Sequence, residues 1–226
     1  DPNVTPYPWA EDVYLAFPEL NHYQPESAIP NHSVVDIGMC ASRDGIVWQW
    51  PSTNPYIPLA EKGSGRGGML YHLTGLLRAG DVLYQYHAGT DIEHHGSIGE
   101  IHGYQGLLNS GRIYRTEQRL DGFVSLDFAA DGGEMVTPVL TFTGDRLLLN
   151  CDAVRGELAV ELRDADNRPL PGLTFTDCVP ISTDAVACTV RWRKDTSLAG
   201  LQERPLRMAI RGRAAKLFAF QYTLAQ

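Results

Sequence analysis

Apolar and polar positions alternate along this chain in short runs, broken every few residues by Gly, Pro, Asp or Asn. Val13-Tyr14-Leu15-Ala16-Phe17 stops at Pro18, a second run covers residues 34–41, and Ile46-Val47-Trp48-Gln49-Trp50 is a third. Period-two alternation rich in β-branched and aromatic residues predicts half-buried strands. The same pattern predicts strands at 69–77, 82–87, 112–118 and 123–126, then at 135–142, 146–151, 157–163, 185–193, 206–211 and 215–223. Arg78-Ala79-Gly80-Asp81 and Asp121-Gly122 read as hairpin turns, because Gly and Asp accept the positive φ that tight turns demand. No segment offers a capped amphipathic helix longer than about two turns. Ser197-Leu198-Ala199-Gly200-Leu201 reads as one short turn. The expected class is all-β.

The strands fall into two modules, 1–118 and 119–226, with the seam near 119–134. Residues 1–118 hold 6 Lys+Arg against 13 Asp+Glu, residues 119–226 hold 13 against 14. All seven His and three of the four Trp lie in the first module. The titratable and aromatic material is therefore concentrated there. Stretches 13–60 and 69–127 share an order of inner strand, loop, strand, Asp/Gly turn and strand. Each is near the roughly 40–50 residues of a β-propeller blade. The evenly spaced strands of 119–226 predict a β-sandwich.

Composition narrows the function classes. Hydrophobic residues at 43% and charged residues at 20% exclude a disordered chain. The 22 Gly show no collagen period, and no apolar run approaches the roughly 20 residues that span a bilayer. A net charge of −8 argues against nucleic acid, which needs a basic face. A neutral ligand such as a sugar suits this chain better than an anion. Cys40, Cys151, Cys178 and Cys188 show no zinc spacing. Buried free thiols are the expectation, with a Cys178–Cys188 bridge as the alternative. Asp1-Pro2-Asn3-Val4 lacks an initiator Met and a secretory leader, so the numbering is expected to start inside a longer precursor or at a processing boundary. Asn3-Val4-Thr5 and Asn31-His32-Ser33 fit the glycosylation pattern of a eukaryotic secretory route.

Ser42-Arg43-Asp44-Gly45-Ile46-Val47-Trp48 resembles the S-x-D-G-x-x-W hairpin of sialidase-like propellers. Asp44 is placed to accept backbone N–H groups across the turn, and Gly45 to supply positive φ. Residues 7–18, Gly68-Met69-Leu70-Tyr71 and Arg119-Leu120-Asp121-Gly122-Phe123-Val124-Ser125-Leu126-Asp127 stand in a familiar order. It resembles bacterial five-bladed β-propeller proteins similar to glycoside hydrolase families 32 and 43, which end in a β-sandwich. Glu161 to Asp166, Asp177 to Pro180 and Leu217 to Phe220 look like that sandwich. The resemblance covers nearly the whole chain but matches only the last two blades and the sandwich. It implies a hydrolase acting on a glycan or glycoside through paired carboxylates. It also implies that the principal catalytic carboxylates lie on earlier blades, supplied by a second polypeptide or by further copies. No sequence feature resolves extracytoplasmic from cytoplasmic location.

Glycoside hydrolysis needs two carboxyl groups, about 5–5.5 Å apart for retention or 6.5–9.5 Å for inversion. Glu19, after the first inner strand, and Asp36, inside a strand, are the candidates for such a role. Each also has a structural reading, a solvated loop carboxylate for Glu19 and a buried paired one for Asp36. Asn21-His22-Tyr23 is expected at a loop tip, where His22 and Tyr23 could contact sugar hydroxyls and a sugar face. Met69, Tyr71, Tyr86 and His95 complete the expected substrate-binding set. Four Gly between 63 and 68 predict close backbone approach to a ligand or neighbour. This is no phosphate loop, and the related proteins often carry an acidic residue where Arg66 stands. His87, Asp91 and Glu93 are competent metal ligands at a spacing that matches no defined motif. His95-Gly96 resembles an H-G pair of the same group. Asn150, Asp152, Asp177 and Asp184 offer oxygen ligands for a structural calcium, against a reading as turn caps. The alternative function is a non-catalytic carbohydrate-binding or interaction module. No organic cofactor is expected.

Overall fold

The computed structural model describes residues 2–95, 111–194 and 197–224. It is all-β, with several mainly antiparallel sheets, none closed into a barrel. No described helix is long and apolar enough to cross a membrane. The chain divides into two compact units, Asp1–Gln118 and Arg119–Gln226.

The first unit contains β1 (Val4–Pro6), β2 (Tyr14–Ala16), β3 (Glu19–Tyr23), β4 (Ser33–Ile37), β5 (Cys40–Ser42) and β6 (Trp48–Gln49). It continues with β7 (Met69–His72), β8 (Leu77–Ala79), β9 (Val82–Thr90) and β10 (Arg112–Arg119). One sheet has the order β1-β2-β5-β6. The other runs β10-β9-β7-β4-β3, with β8 paired to β9. The chain bends from the first sheet into the second at Phe17-Pro18 and back at Gly38-Met39. The apolar run 34–41 therefore serves as two strands, not one. Strands β4 and β7 meet in parallel through Val35 and Met69. The β1–β2, β2–β5, β5–β6, β3–β4 and β7–β9 pairings are antiparallel, as is the β8–β9 hairpin closed across Gly80-Asp81.

Run 69–77 likewise divides, between β7 and β8, and further sequence expectations change here. Asn21, His22 and Tyr23 are not at a loop tip, because β3 pairs them with Val35, Val34 and Ser33. Strand 46–50 shrinks to Trp48–Gln49. The reason is local: the N–H groups of Ile46 and Val47 donate to Asp44 Oδ1 at 2.8 Å each, which holds them in a turn. Gly45 sits at φ 72° in that turn. The hairpin expected at Asp121-Gly122 does not form, since β11 (Leu126–Phe128) pairs with β17 (Ala215–Thr223) and not with β10.

The second unit also contains β12 (Gly133–Val136), β13 (Arg146–Asp152), β14 (Glu157–Asp164), β15 (Asp184–Thr189) and β16 (Leu206–Arg213), with one 3-10 turn at Ala199–Leu201. Its sheets have the orders β11-β17-β13-β15 and β12-β16-β14. Alternation turns Leu147, Leu149 and Leu217 of one sheet, and Leu158, Leu162 and Met208 of the other, into one shared core. Each such side chain contributes about 2–3 kcal/mol of burial. Trp192 fills the same core and donates its indole N–H to Val160 O at 3.1 Å. Arg163 is held at 2.7 Å by the buried Glu161 and at 2.8 Å by Glu134. All four cysteines are free thiols, so the Cys178–Cys188 bridge is absent.

Candidate functional site

Register divides the expected site residues of the first unit between two faces of one sheet. Side chains alternate along a strand, and paired residues share a side. Glu19, Asn21 and Tyr23 alternate on β3, and Asn21 pairs with Val35. Val35 aligns with Met69, so Met69 and Tyr71 lie on the same side. Across β9, Met69 faces Thr90 and Tyr71 faces Ala88, which places Tyr86 and Tyr84 on that side too. The result is one face carrying Glu19, Asn21, Tyr23, Met69, Tyr71 and Tyr86.

This face is open. Tyr23 is 65% exposed and Tyr71 39%. The Tyr71 hydroxyl donates to Met69 Sδ at 3.1 Å, which ties the two side chains together. Burial raises the Tyr71 phenol above its ordinary value, and the Glu19 carboxylate raises it further. Ser33 Oγ donates to the Asn21 amide oxygen at 3.2 Å. Asn3 donates to Glu19 Oε1 at 3.2 Å. Arg115 stacks over Tyr84 at 4.7 Å and pairs with Glu117 at 2.5 Å, which places Glu117 on this face as well. The arrangement combines aromatic rings, a thioether, an amide and carboxylates on a broad surface.

His22 and Asp36 point the other way. Leu20 pairs with Asp36 and His22 with Val34, so the two form a diagonal pair on the opposite face. His22 Nε2 lies 2.9 Å from Asp36 Oδ2, while Asp36 Oδ1 is buried without a partner. The same side of β7 and β9 carries His72, Gln85 and His87, all buried. Gln85 Nε2 lies 3.1 Å from His72 Nε2, and the His72 ring stacks on Phe17 at 4.4 Å. The Tyr56 hydroxyl reaches the amides of Gln85 and Gln118. Its single proton serves one amide oxygen, so it must accept from the other amide; turning the Gln118 amide would give buried Nε2 the partner it otherwise lacks. Burial, with His87 nearby, lowers the His72 imidazole to about 4. Burial also lowers His87, with Arg66 adding to the effect.

The residues considered for metal are not brought together. His87 stacks against Tyr114 and meets Thr116 Oγ1 at 3.3 Å. Asp91 accepts the N–H of Gly65 at 2.8 Å and of Gly67 at 2.9 Å. Burial pushes its carboxyl up, but the amides of Gly67, Gly65 and Gly63 and the charge of Arg112 hold it below its ordinary value. The glycine-rich loop thus wraps a carboxylate of the chain itself. A Cβ at Gly68 would stand 2.4 Å from Ile92 O, which explains why no side chain fits there. Glu93 pairs with Lys62 and with His32 Nε2 at 2.6 Å. Among the described residues no group of three metal-competent side chains gathers. His95, at φ 54°, is exposed in the turn beyond β9. Gly96, its partner in the expected H-G pair, and His102 lie outside the described residues.

In the second unit the oxygen ligands considered for calcium have local uses. Asp177 Oδ2 accepts Thr174 Oγ1 at 2.6 Å, Asp152 Oδ1 accepts the Val154 N–H at 3.3 Å, and Asp184 pairs with Arg119 at 2.6 Å. Asn150 donates to Leu120 O at 2.6 Å. Sequence reasoning missed a charged cleft of about 650 Å3 there, lined by Glu134, Glu157, Phe175, Arg211 and Arg213. Arg211 stacks on Phe175 at 4.3 Å, a contact between distant segments that no local motif announces. It also missed Ser27 and His32, which lie 2.7 Å apart in the β3–β4 connection.

No protein-family model, no curated protein and no solved structure matches this chain.

Proposed function

We propose that the aromatic face of the first unit binds a neutral glycan and forms one wall of the substrate cleft of a glycoside-hydrolase-like protein. The observation that carries this reading is the convergence of Tyr23, Met69, Tyr71 and Tyr86 with Asn21 and Glu19 on one sheet face. Sugar rings stack on aromatic faces, and amide and carboxylate groups fix their hydroxyls. In this reading residues 1–118 are the last two blades of a five-bladed propeller. Residues 119–226 are its β-sandwich, supported by two sheets that share one core. A second polypeptide or further copies complete the ring and bring the remaining catalytic carboxylates.

A second reading is a non-catalytic carbohydrate-binding module. It is favoured by the positions of Glu19 and Glu117 on opposite edge strands of the sheet. Four strand spacings separate β3 from β10, roughly 19 Å, well beyond hydrolytic separation. Calorimetric titration with a panel of neutral oligosaccharides tests both readings. The expected result is saturable binding that weakens about tenfold in Tyr71→Ala. Reducing sugar released only when the completing blades are added supports the hydrolase. Binding without hydrolysis in either state supports the module. No binding by the folded chain sinks both.

A further inference from the structure

We propose that Ser27, His32 and Glu93 form a second site, a serine-nucleophile centre that hydrolyses small acyl esters. The site is independent of the aromatic face and of the glycan reading. Ser27 Oγ lies 2.7 Å from His32 Nδ1. His32 Nε2 lies 2.6 Å from Glu93 Oε2. Nucleophile, base and orienting carboxylate thus stand in hydrogen-bonded series, the relation that activates a serine whatever the fold.

The proton positions follow from the partners. Lys62, and Gln24 Nε2 at 3.4 Å, also bind the Glu93 carboxylate. The Lys62 contact is the largest cause holding that carboxyl below its ordinary value, so it accepts and does not donate. His32 Nε2 must then carry the proton that Glu93 receives. Nδ1 is left with its lone pair toward Ser27, whose hydroxyl donates to it. The His32 and Glu93 side chains are only 15% and 13% exposed, which shields their hydrogen bond from water. Ser27 is partly exposed, so an ester can reach it.

The backbone holds this geometry. The Ser27 N–H donates to Gln24 O at 3.1 Å, and the His32 N–H donates to Ile29 O at 3.3 Å. The Ile29 N–H donates to Ser27 Oγ at 3.1 Å, leaving the hydroxyl proton for His32. The Ala28 amide follows the nucleophile directly, the position from which a backbone N–H stabilises an oxyanion in other serine hydrolases.

In the reaction Ser27 Oγ bonds to the ester carbonyl carbon while its proton moves to His32 Nδ1. The carbon–oxygen bond to the alcohol then breaks, and His32 returns the proton to the departing oxygen. Water attacks the acyl-serine, loses a proton through His32, and releases the carboxylic acid and free Ser27. No oxidant or other reactant is required.

The test is labelling of the folded full chain with a fluorophosphonate probe, with the adduct located by mass spectrometry. The expected result is one adduct on Ser27, formed at least 100-fold more slowly in His32→Gln and about tenfold more slowly in Glu93→Gln. Ser27→Ala should lower p-nitrophenyl acetate turnover at least 100-fold, with an unchanged circular dichroism spectrum. A merely structural Ser27–His32 contact would not move these rates. A further pair of variants keeps a nucleophile in place: Ser27→Cys should react with iodoacetamide at least tenfold faster than Ser27→Cys combined with His32→Gln. No adduct on Ser27 in the folded chain, or equal labelling with and without His32, overturns the proposal.

Discussion

The two units bury different things. Among the described residues the second unit encloses twenty-two apolar side chains and three polar ones, the first eleven apolar and six polar. The second unit is stabilised chiefly by hydrocarbon from two facing sheets. The first places Asp36, His72, Gln85 and His87 in its interior and leaves Tyr23 and Tyr71 exposed. Buried polar networks fix geometry and add little net stability, and they make a fold sensitive to protonation. The contrast separates an apolar interior from a polar one within a single chain.

The largest expected effect strikes the apolar unit. Leu162→Ala removes a fully buried side chain and should cost about 2–5 kcal/mol. Urea unfolding followed by hydrogen exchange in β13, β14 and β16, which reports that unit alone, measures it. A loss below about 1 kcal/mol would break the claim that this core carries the unit.

Acid should separate the two units next. The His72 imidazole is lowered to about 4 from a usual 6.5, so the unfolded chain takes up its proton first. The stabilisation is full above pH 6.5 and is lost as pH falls from 6.5 to about 4, an order of about 3 kcal/mol. His87 is shifted in the same direction. The second unit contains no His, and its lowered carboxyls, Glu134 and Asp177, begin to matter only below about pH 4.5. Between pH 6.5 and 4.5 the first unit alone should weaken, and His72→Phe should flatten that dependence. Equal weakening of both units would erase the comparison.

Gly68→Ala sharpens it inside the first unit. The added methyl meets the Ile92 carbonyl, and a loss of about 1–3 kcal/mol is expected by thermal denaturation. Tyr71→Ala has the smallest effect on stability, about 1 kcal/mol or less, because the residue is 39% exposed. Its expected consequence is the tenfold weaker glycan binding. A large stability loss there would mean that Tyr71 is packing and not surface.

Strands were legible where alternation was strong and local. Residues 215–223 form β17 along their whole predicted length, and the Asp44 turn has the hydrogen bonds its residues announce. What sequence could not supply was pairing. Asn21-His22-Tyr23 is polar and reads as a loop until Ser33-Val34-Val35 is known to lie beside it. The division of Tyr71 from His22 depends on one parallel contact, Val35 with Met69, between residues far apart in the chain. The glycine loop signalled close approach, but its guest is Asp91 of the same chain. Ser27 and His32 carry no local motif, because their third member comes from Glu93, well downstream.

Hydrogen exchange of the full chain with and without a bound neutral oligosaccharide tests the division of labour most directly. The account predicts added protection in Glu19–Tyr23, Met69–His72 and Val82–Thr90, with none in Arg119–Gln226. Protection confined to the Glu134, Phe175 and Arg211 cleft of the second unit would contradict it.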